Sequence, residues 1–180
     1  ATFTATMPGQ DDLRLIFRQI LDGHLGKFDK KIAGLGSQVV DATIQLHAEI
    51  SNKFLPSAIK FVYNWNMREL RNVFQGMCQA KPIAYQSTTR FLRLWVHECS
   101  RVFCDRMMYE SEFGQYHEMV LATAKYHFQN QHDDLPDIMA EPLIFTKFAV
   151  QTEGQDVYVD VPDHNTLSEV LDAKLREYNE

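Results

Sequence analysis

No phosphate-binding loop can be traced in this sequence: neither G-x-x-x-x-G-K-[ST] nor G-x-G-x-x-G occurs. The nearest string, Gly34-Leu35-Gly36, stands before a helical pattern rather than after a strand, and no Lys-Ser or Lys-Thr follows it. No catalytic residue is assigned, and the chain is not expected to be an enzyme by itself. Metal-ligand spacing is missing too. His97 and Cys104 lie seven apart on one helical face, but there is no second His four residues beyond His97 and no closely spaced Cys pair. No metal site is assigned. Cys99 reads as a small core residue, and His97-Glu98 are expected on or near the solvated side.

The three cysteines, Cys78, Cys99 and Cys104, are too few and of odd number for a disulfide framework, which points to a reducing compartment. No apolar run approaches the roughly 18 residues of a bilayer span. The opening ATFTATMPGQDD has neither the basic nor the apolar part of a signal peptide. It also lacks a starting Met, and with the abrupt ending at Glu180 this suggests an excerpt of a longer chain. No basic block stands out and the net charge is -6, which disfavours nucleic acid or an anionic membrane as the main partner. Internal repeats and low-complexity tracts are missing.

What is present is helical periodicity. Leu13, Ile16, Phe17, Ile20 and Leu21 recur as the stripe of an amphipathic helix that opens after Pro8-Gly9. A second helix is expected after Gly34-Leu35-Gly36, with Ser37 as N-cap, Val40, Ile44, Ala48 and Phe54 as its face, and Pro56 as its stop. Lys60 to Trp65 reads as a short extended connector, its aromatics Phe61, Tyr63 and Trp65 assigned to core packing. A third helix runs from Met67 to about Gln79 with Leu70, Val73, Phe74 and Met77 buried. Asn66 and Glu69 form its capping box: Asn66 accepts from the first free N–H groups, and Glu69 reaches back to the Asn66 N–H.

A fourth helix starts near Ser87 or Thr88 and buries Phe91, Leu92, Trp95, Cys99, Val102 and Phe103. A weaker fifth covers about 112 to 128, with Phe113, Tyr116 and Val120 on one side. Gln131 to Asp137 is a polar, Pro-containing connector. Beyond it, 143–150 and 157–161 read as strands with a turn at 151–156, and a last helix begins near Asn165 with a Thr166-x-x-Glu169 capping signature and a Leu167, Val170, Leu171, Leu175 stripe. A lone hairpin is marginal, so this tail is expected to pack on something outside the chain.

Arg68 stands out on physical grounds. A cation at a helix N-terminus opposes the macrodipole, so an anionic partner would resolve the conflict. The alternative is that Arg68 pairs with a nearby carboxylate or points to water.

Two long strings make the sequence recognisable. Phe54 to Gly76, FLPSAIKFVYNWNMRELRNVFQG, resembles the FLPTAxKFHYxFNLRDLSNIFQG segment of axonemal dynein heavy chains. Leu94 to Met107, LWVHECSRVFCDRM, resembles their LWLHExxRVYxDKM segment. In that family both belong to the small helical lid of the third AAA+ module of the motor ring. Phe3 to Leu25 resembles the stretch that enters this lid, and Ile144 through Glu180 resembles the lead into the fourth module. The pattern is nearest the outer-arm β type. Val62 stands where the family has His, Trp65 replaces Phe, Met67 replaces Leu or Ile, and Glu69 replaces Asp with its capping role kept. Residues 151–156 depart from the family's Gly-Asp-Pro-like pattern.

The resemblance implies a mainly α fold: a helical AAA+ lid over 1–130, a linker over 131–142, and a short β-β-α segment over 143–180 at the N-terminal edge of the fourth module. It implies a sensor-II role for Arg68, reaching toward nucleotide phosphates, with Asn66 and Glu69 capping its helix. It implies no cofactor in the chain itself, but ATP or ADP with Mg in the parent module. The implied partners are neighbouring AAA+ large subdomains, and through the parent, microtubules and dynein intermediate and light chains. The implied setting is the axoneme of a cilium or flagellum, within the cytoplasm and cytoskeleton. There the lid would relay nucleotide state between modules during ATP-driven, minus-end-directed motility and ciliary beating. The rival expectation is a free-standing helical adaptor that binds a partner through an exposed apolar face.

Overall fold

The computed structural model describes residues 8–152 and 155–179. Eight α-helices and one hairpin follow in the order α1 (Gln10–Leu25), α2 (Lys30–Ala33), α3 (Gly36–Lys53), α4 (Met67–Met77), α5 (Thr88–Phe103), α6 (Glu110–His127), α7 (Leu135–Ile138), β1 (Ile144–Thr152), β2 (Gln155–Val161) and α8 (His164–Asn179). The mainly helical expectation holds.

Helix α5 is the axis of the bundle. Its expected stripe is buried in full, and Leu94, Val96 and Glu98 are buried as well, so only a narrow strip meets water. A helix covered on nearly all sides must sit centrally. Ser87 caps it, its Oγ accepting from the Arg90 N–H at 3.2 Å. Trp95 ties α5 to its neighbours: its indole N–H donates to Thr43 Oγ1 of α3 at 2.9 Å, and its ring meets Phe128 edge-on. Phe17 of α1 stacks on Phe74 of α4 with centroids 4.5 Å apart.

Several local expectations are corrected. In α1 the buried set is Leu13, Phe17, Leu21 and Leu25, while Ile16 and Ile20 are exposed, because α1 lies at the edge of the bundle with its neighbours on one side only. Ser37 is not the cap of α3. Asp29 instead caps an unforeseen one-turn helix α2, and the chain passes through Gly34 and Leu35 in helical conformation straight into α3. A Cβ at Gly36 would lie 2.7 Å from Asp22 Oδ1 of α1, a contact that the half-exposed aspartate could relieve by swinging outward. Phe113 is exposed; the face of α6 is Tyr116, Val120, Thr123 and Ala124. The connector is not free coil: Gln129–Asp134 is 3₁₀, and α7 buries Leu135 and Ile138 against α5. Pro136 falls in the first turn of α7, where its missing N–H has no helical partner to lose.

The hairpin packs within the chain, on α5. β1 and β2 pair antiparallel, Phe145 opposite Asp160 and Thr146 opposite Val159, with a register shift between Thr146 and Val150. Pairing continues through Gln151–Asp156 and Thr152–Gln155, so strand replaces most of the expected turn; its tip, 153–154, lies outside the described residues, as do Phe3 and Glu180. The Phe145–Tyr158–Asp160 face packs on α5, and Arg93 of α5 pairs with Asp160 at 2.7 Å while also donating to the Asp137, Ala140 and Pro142 carbonyls. Helix α8 contacts both strands. Its cap is Asp163, which accepts from the Thr166 N–H at 2.8 Å, not Thr166. Its own Leu171 and Leu175 remain exposed.

Candidate functional site

The segment between α3 and α4 presents Arg68. Lys60 to Trp65 is not extended: the Tyr63 N–H donates to the Lys60 carbonyl at 3.2 Å, and the Lys60 N–H to Ser57 Oγ at 3.1 Å, closing a turn. The aromatics divide. Tyr63 is buried, donates to the Glu112 carboxylate and accepts from the Met108 N–H at 2.9 Å. Trp65 is half-buried, its indole N–H bonded to the Phe54 carbonyl at 2.7 Å. Phe61, assigned to the core, is 77% exposed. Lys60 completes the anchorage by pairing with Glu112, whose carboxyl is held below its ordinary range by that ammonium and the Tyr63 hydroxyl against the opposing effect of burial.

These anchors fix Asn66, whose extended backbone opens α4. Its side chain accepts from the Arg68 N–H at 2.8 Å, and Glu69 Oε2 accepts from the Asn66 N–H at 2.9 Å, so the reciprocal capping box is formed. The other carboxylate oxygen of Glu69 pairs with Arg106 Nη1 at 2.8 Å, and the Arg106 guanidinium lies over the Trp65 ring. Glu69 is buried. One carboxylate therefore joins the start of α4 to the 3₁₀ turn after α5. His47 of α3 lies beneath, its pKa lowered by burial against the Asn66 backbone and Glu69.

Arg68 itself is exposed. Among the described residues neither Arg68 nor Arg71 has an ion-pair or hydrogen-bond partner for its guanidinium. Among the described residues no carboxylate pairs with Arg68, and the side chain points to water, the second of the two alternatives. The five N–H donors of the fork stand free at a rigidly capped helix start, a donor set that suits phosphate oxygens. No group of His, Cys, Asp and Glu able to hold a metal ion occurs among the described residues.

The other singled-out residues go to structure. His97 donates from Nδ1 to the Leu143 carbonyl at 3.2 Å, which as an acceptor fixes the tautomer of the neutral ring, and its ring lies tilted against Phe145 with centroids 4.7 Å apart. Its Nε2 then competes with Glu98 for the single proton of the Tyr158 hydroxyl, at 3.0 and 2.8 Å. Glu98, expected near the solvated side, is fully buried. The signal was in the spacing: Glu98 follows Leu94 by four and precedes Val102 by four, inside the apolar stripe. Cys99 is a core thiol pushed up by burial, and burial pushes Cys104 up to about 11, the opposite of the lowered pKa that activates a thiol. At Gly34-Leu35-Gly36 the Asp22 carboxylate occupies the approach to Gly36, the wrong charge for a phosphate cradle.

Four histidines, His24, His47, His97 and His127, have pKa values lowered from 6.5, chiefly by burial. As pH falls below 6.5 the unfolded chain takes up protons that the folded chain resists, so stability falls through that window and is fully present above it. The melting temperature at pH 5.5 should be below that at pH 7.5; equal midpoints would contradict this.

The description "AAA+ lid domain" matches residues 39–138, more than half of the chain, and the chain belongs to that family. It is 40% identical to the dynein beta chain of the flagellar outer arm of Chlamydomonas reinhardtii, 37% to the ciliary dynein beta chain of Tripneustes gratilla and 37% to dynein axonemal heavy chain 17 of Homo sapiens, each over 99% of this chain. The resemblance to axonemal dynein heavy chains thus runs along the whole sequence, and the chain spans about 4% of the length of these relatives.

Proposed function

We propose that this chain is the lid of the third AAA+ module of an axonemal dynein heavy chain, outer-arm β-like, with residues 143–180 leading into the fourth module. Arg68 acts there as the nucleotide-sensing arginine. The observation that carries this reading is the start of α4: a doubly anchored capping box presents a guanidinium that has no partner among the described residues. The phosphate cradle and the Mg ligands come from the flanking large subdomain. ATP bound there supplies the charge on which Arg68 closes, and the lid moves as a rigid body with its neighbour. In the parent this relays nucleotide state around the ring during ATP-driven movement on microtubules in cilia or flagella. The adaptor reading loses ground because the similarity covers 99% of this chain inside relatives of which it is about 4%.

The test is Arg68→Ala in the parent heavy chain, with nucleotide affinity measured at the third module. Loss of a charge-assisted contact is expected to weaken binding by roughly ten- to a hundredfold, with Arg68→Lys in between because an ammonium cannot reproduce the fork. Unchanged affinity and turnover would defeat the assignment.

A further inference from the structure

The far end of α4 and the hairpin meet on one buried side chain. Glu98 of α5 has no accessible surface. Its Oε1 accepts from the Tyr158 hydroxyl of β2 at 2.8 Å, and its Oε2 accepts from Arg101 Nε and Nη2 at 2.9 and 2.7 Å. Against the same carboxylate lies Gly76, in the last turn of α4. A Cβ added there would run into both carboxylate oxygens, so α4 packs this closely only because residue 76 has no side chain. Tyr158 is held in turn: its carbonyl accepts from the Tyr85 hydroxyl at 2.8 Å, and its own hydroxyl meets His97 Nε2 at 3.0 Å. One carboxylate therefore touches α4, α5 and β2, and the capping site uses none of these contacts.

Close packing makes this arrangement responsive. A buried carboxylate oxygen that loses its donor is costly, and a side chain confined on all sides moves only when a neighbour moves. Gly76 is eight residues from Arg68, about 12 Å along a helix, so a displacement of the α4 start is carried to the Glu98 contact by a stiff rod.

We propose that Glu98 is the joint between α4 and the β1–β2 hairpin, such that a shift of α4 at Gly76 displaces the carboxylate and breaks its hydrogen bond to Tyr158. The physiological meaning rests on the nucleotide-sensing reading of Arg68, because that is what would move α4; the joint itself does not. Glu98 is a positioning residue here and touches no ligand.

The test is amide hydrogen exchange and NMR on the 180-residue chain without nucleotide. Tyr158→Phe should speed exchange at the Val157, Val159 and Val161 amides by roughly tenfold or more and shift the Gly76 amide resonance. Gly76→Ala should speed the same amides by a similar factor relative to those of α3. The double variant should be no faster than the faster single one, since both changes break one bond. Factors that multiply, or hairpin exchange in Gly76→Ala no faster than in the native chain, would overturn the proposal. If Gly76→Ala does not fold, the Gly76 resonance in Tyr158→Phe decides, and an unmoved resonance overturns it. Because no nucleotide is used, failure here leaves the Arg68 assignment standing, and failure of that assignment leaves this joint standing.

Discussion

Trp95→Ala should lower the unfolding free energy of this chain by about 4 kcal/mol, the range for truncating a buried tryptophan. The indole fills the centre of the bundle, fully buried, between α3 and Phe128. Its removal leaves a cavity that the surrounding helices cannot close, because α5 is already held on its other sides by α4, α7 and the hairpin. It also strips Thr43 Oγ1 of a donor, though that hydroxyl keeps its own bond to the Val39 carbonyl at 2.6 Å. Trp95→Phe separates the two effects: most of the volume is retained, and a loss of about 1 to 2 kcal/mol is expected from the missing indole N–H and the smaller ring. Urea unfolding gives both numbers. A loss under about 1 kcal/mol for the alanine variant would mean that α5 is not the axis of the core.

The second large effect is at Glu69. Alanine there removes the return half of the capping box and strands Arg106, so a cost of about 3 kcal/mol is expected, from a lost cap together with a broken, largely buried ion pair. Arg106 is about a third exposed and is partly rescued by water, which keeps the figure at the lower end for such pairs. Glu69→Gln retains an acceptor for the Asn66 N–H, loses only the ion pair, and should cost about 1 kcal/mol. If the two variants unfold at the same urea concentration, the cap contributes nothing beyond the ion pair. The Glu69 result also bears on Arg68, because this carboxylate caps the helix start from which that side chain leaves.

The start of α4 is legible in the sequence because its physics is local: Asn66, Glu69 and the apolar spacing that follows act within one turn. Helix α5 is legible for the same reason, with Ser87 at its head. What escapes is non-local. The partner of Glu69 is Arg106, far along the chain, and no spacing rule connects them. Glu98 sits in an apolar stripe, and its burial is made tolerable by Arg101 one turn on together with the hairpin's distant Tyr158. The one-turn helices α2 and α7 are too short for periodicity to register. Phe61 misleads because alternation with Tyr63 and Trp65 suggests equivalence, whereas a turn at Ser57–Lys60 sends it to the surface and its neighbours inward. The tail is too small to close a core of its own, and the side of α5 that receives it emerges only where Arg93, His97 and Glu98 face one way.

The reading of Arg68 draws the cap, the ion pair and the lid together. Its most direct test is the dissociation rate of nucleotide from the third module of the parent heavy chain carrying Arg68→Ala. A rise of roughly ten- to a hundredfold, with Arg71→Ala close to the native rate, is the expected result. A native rate in Arg68→Ala would contradict it.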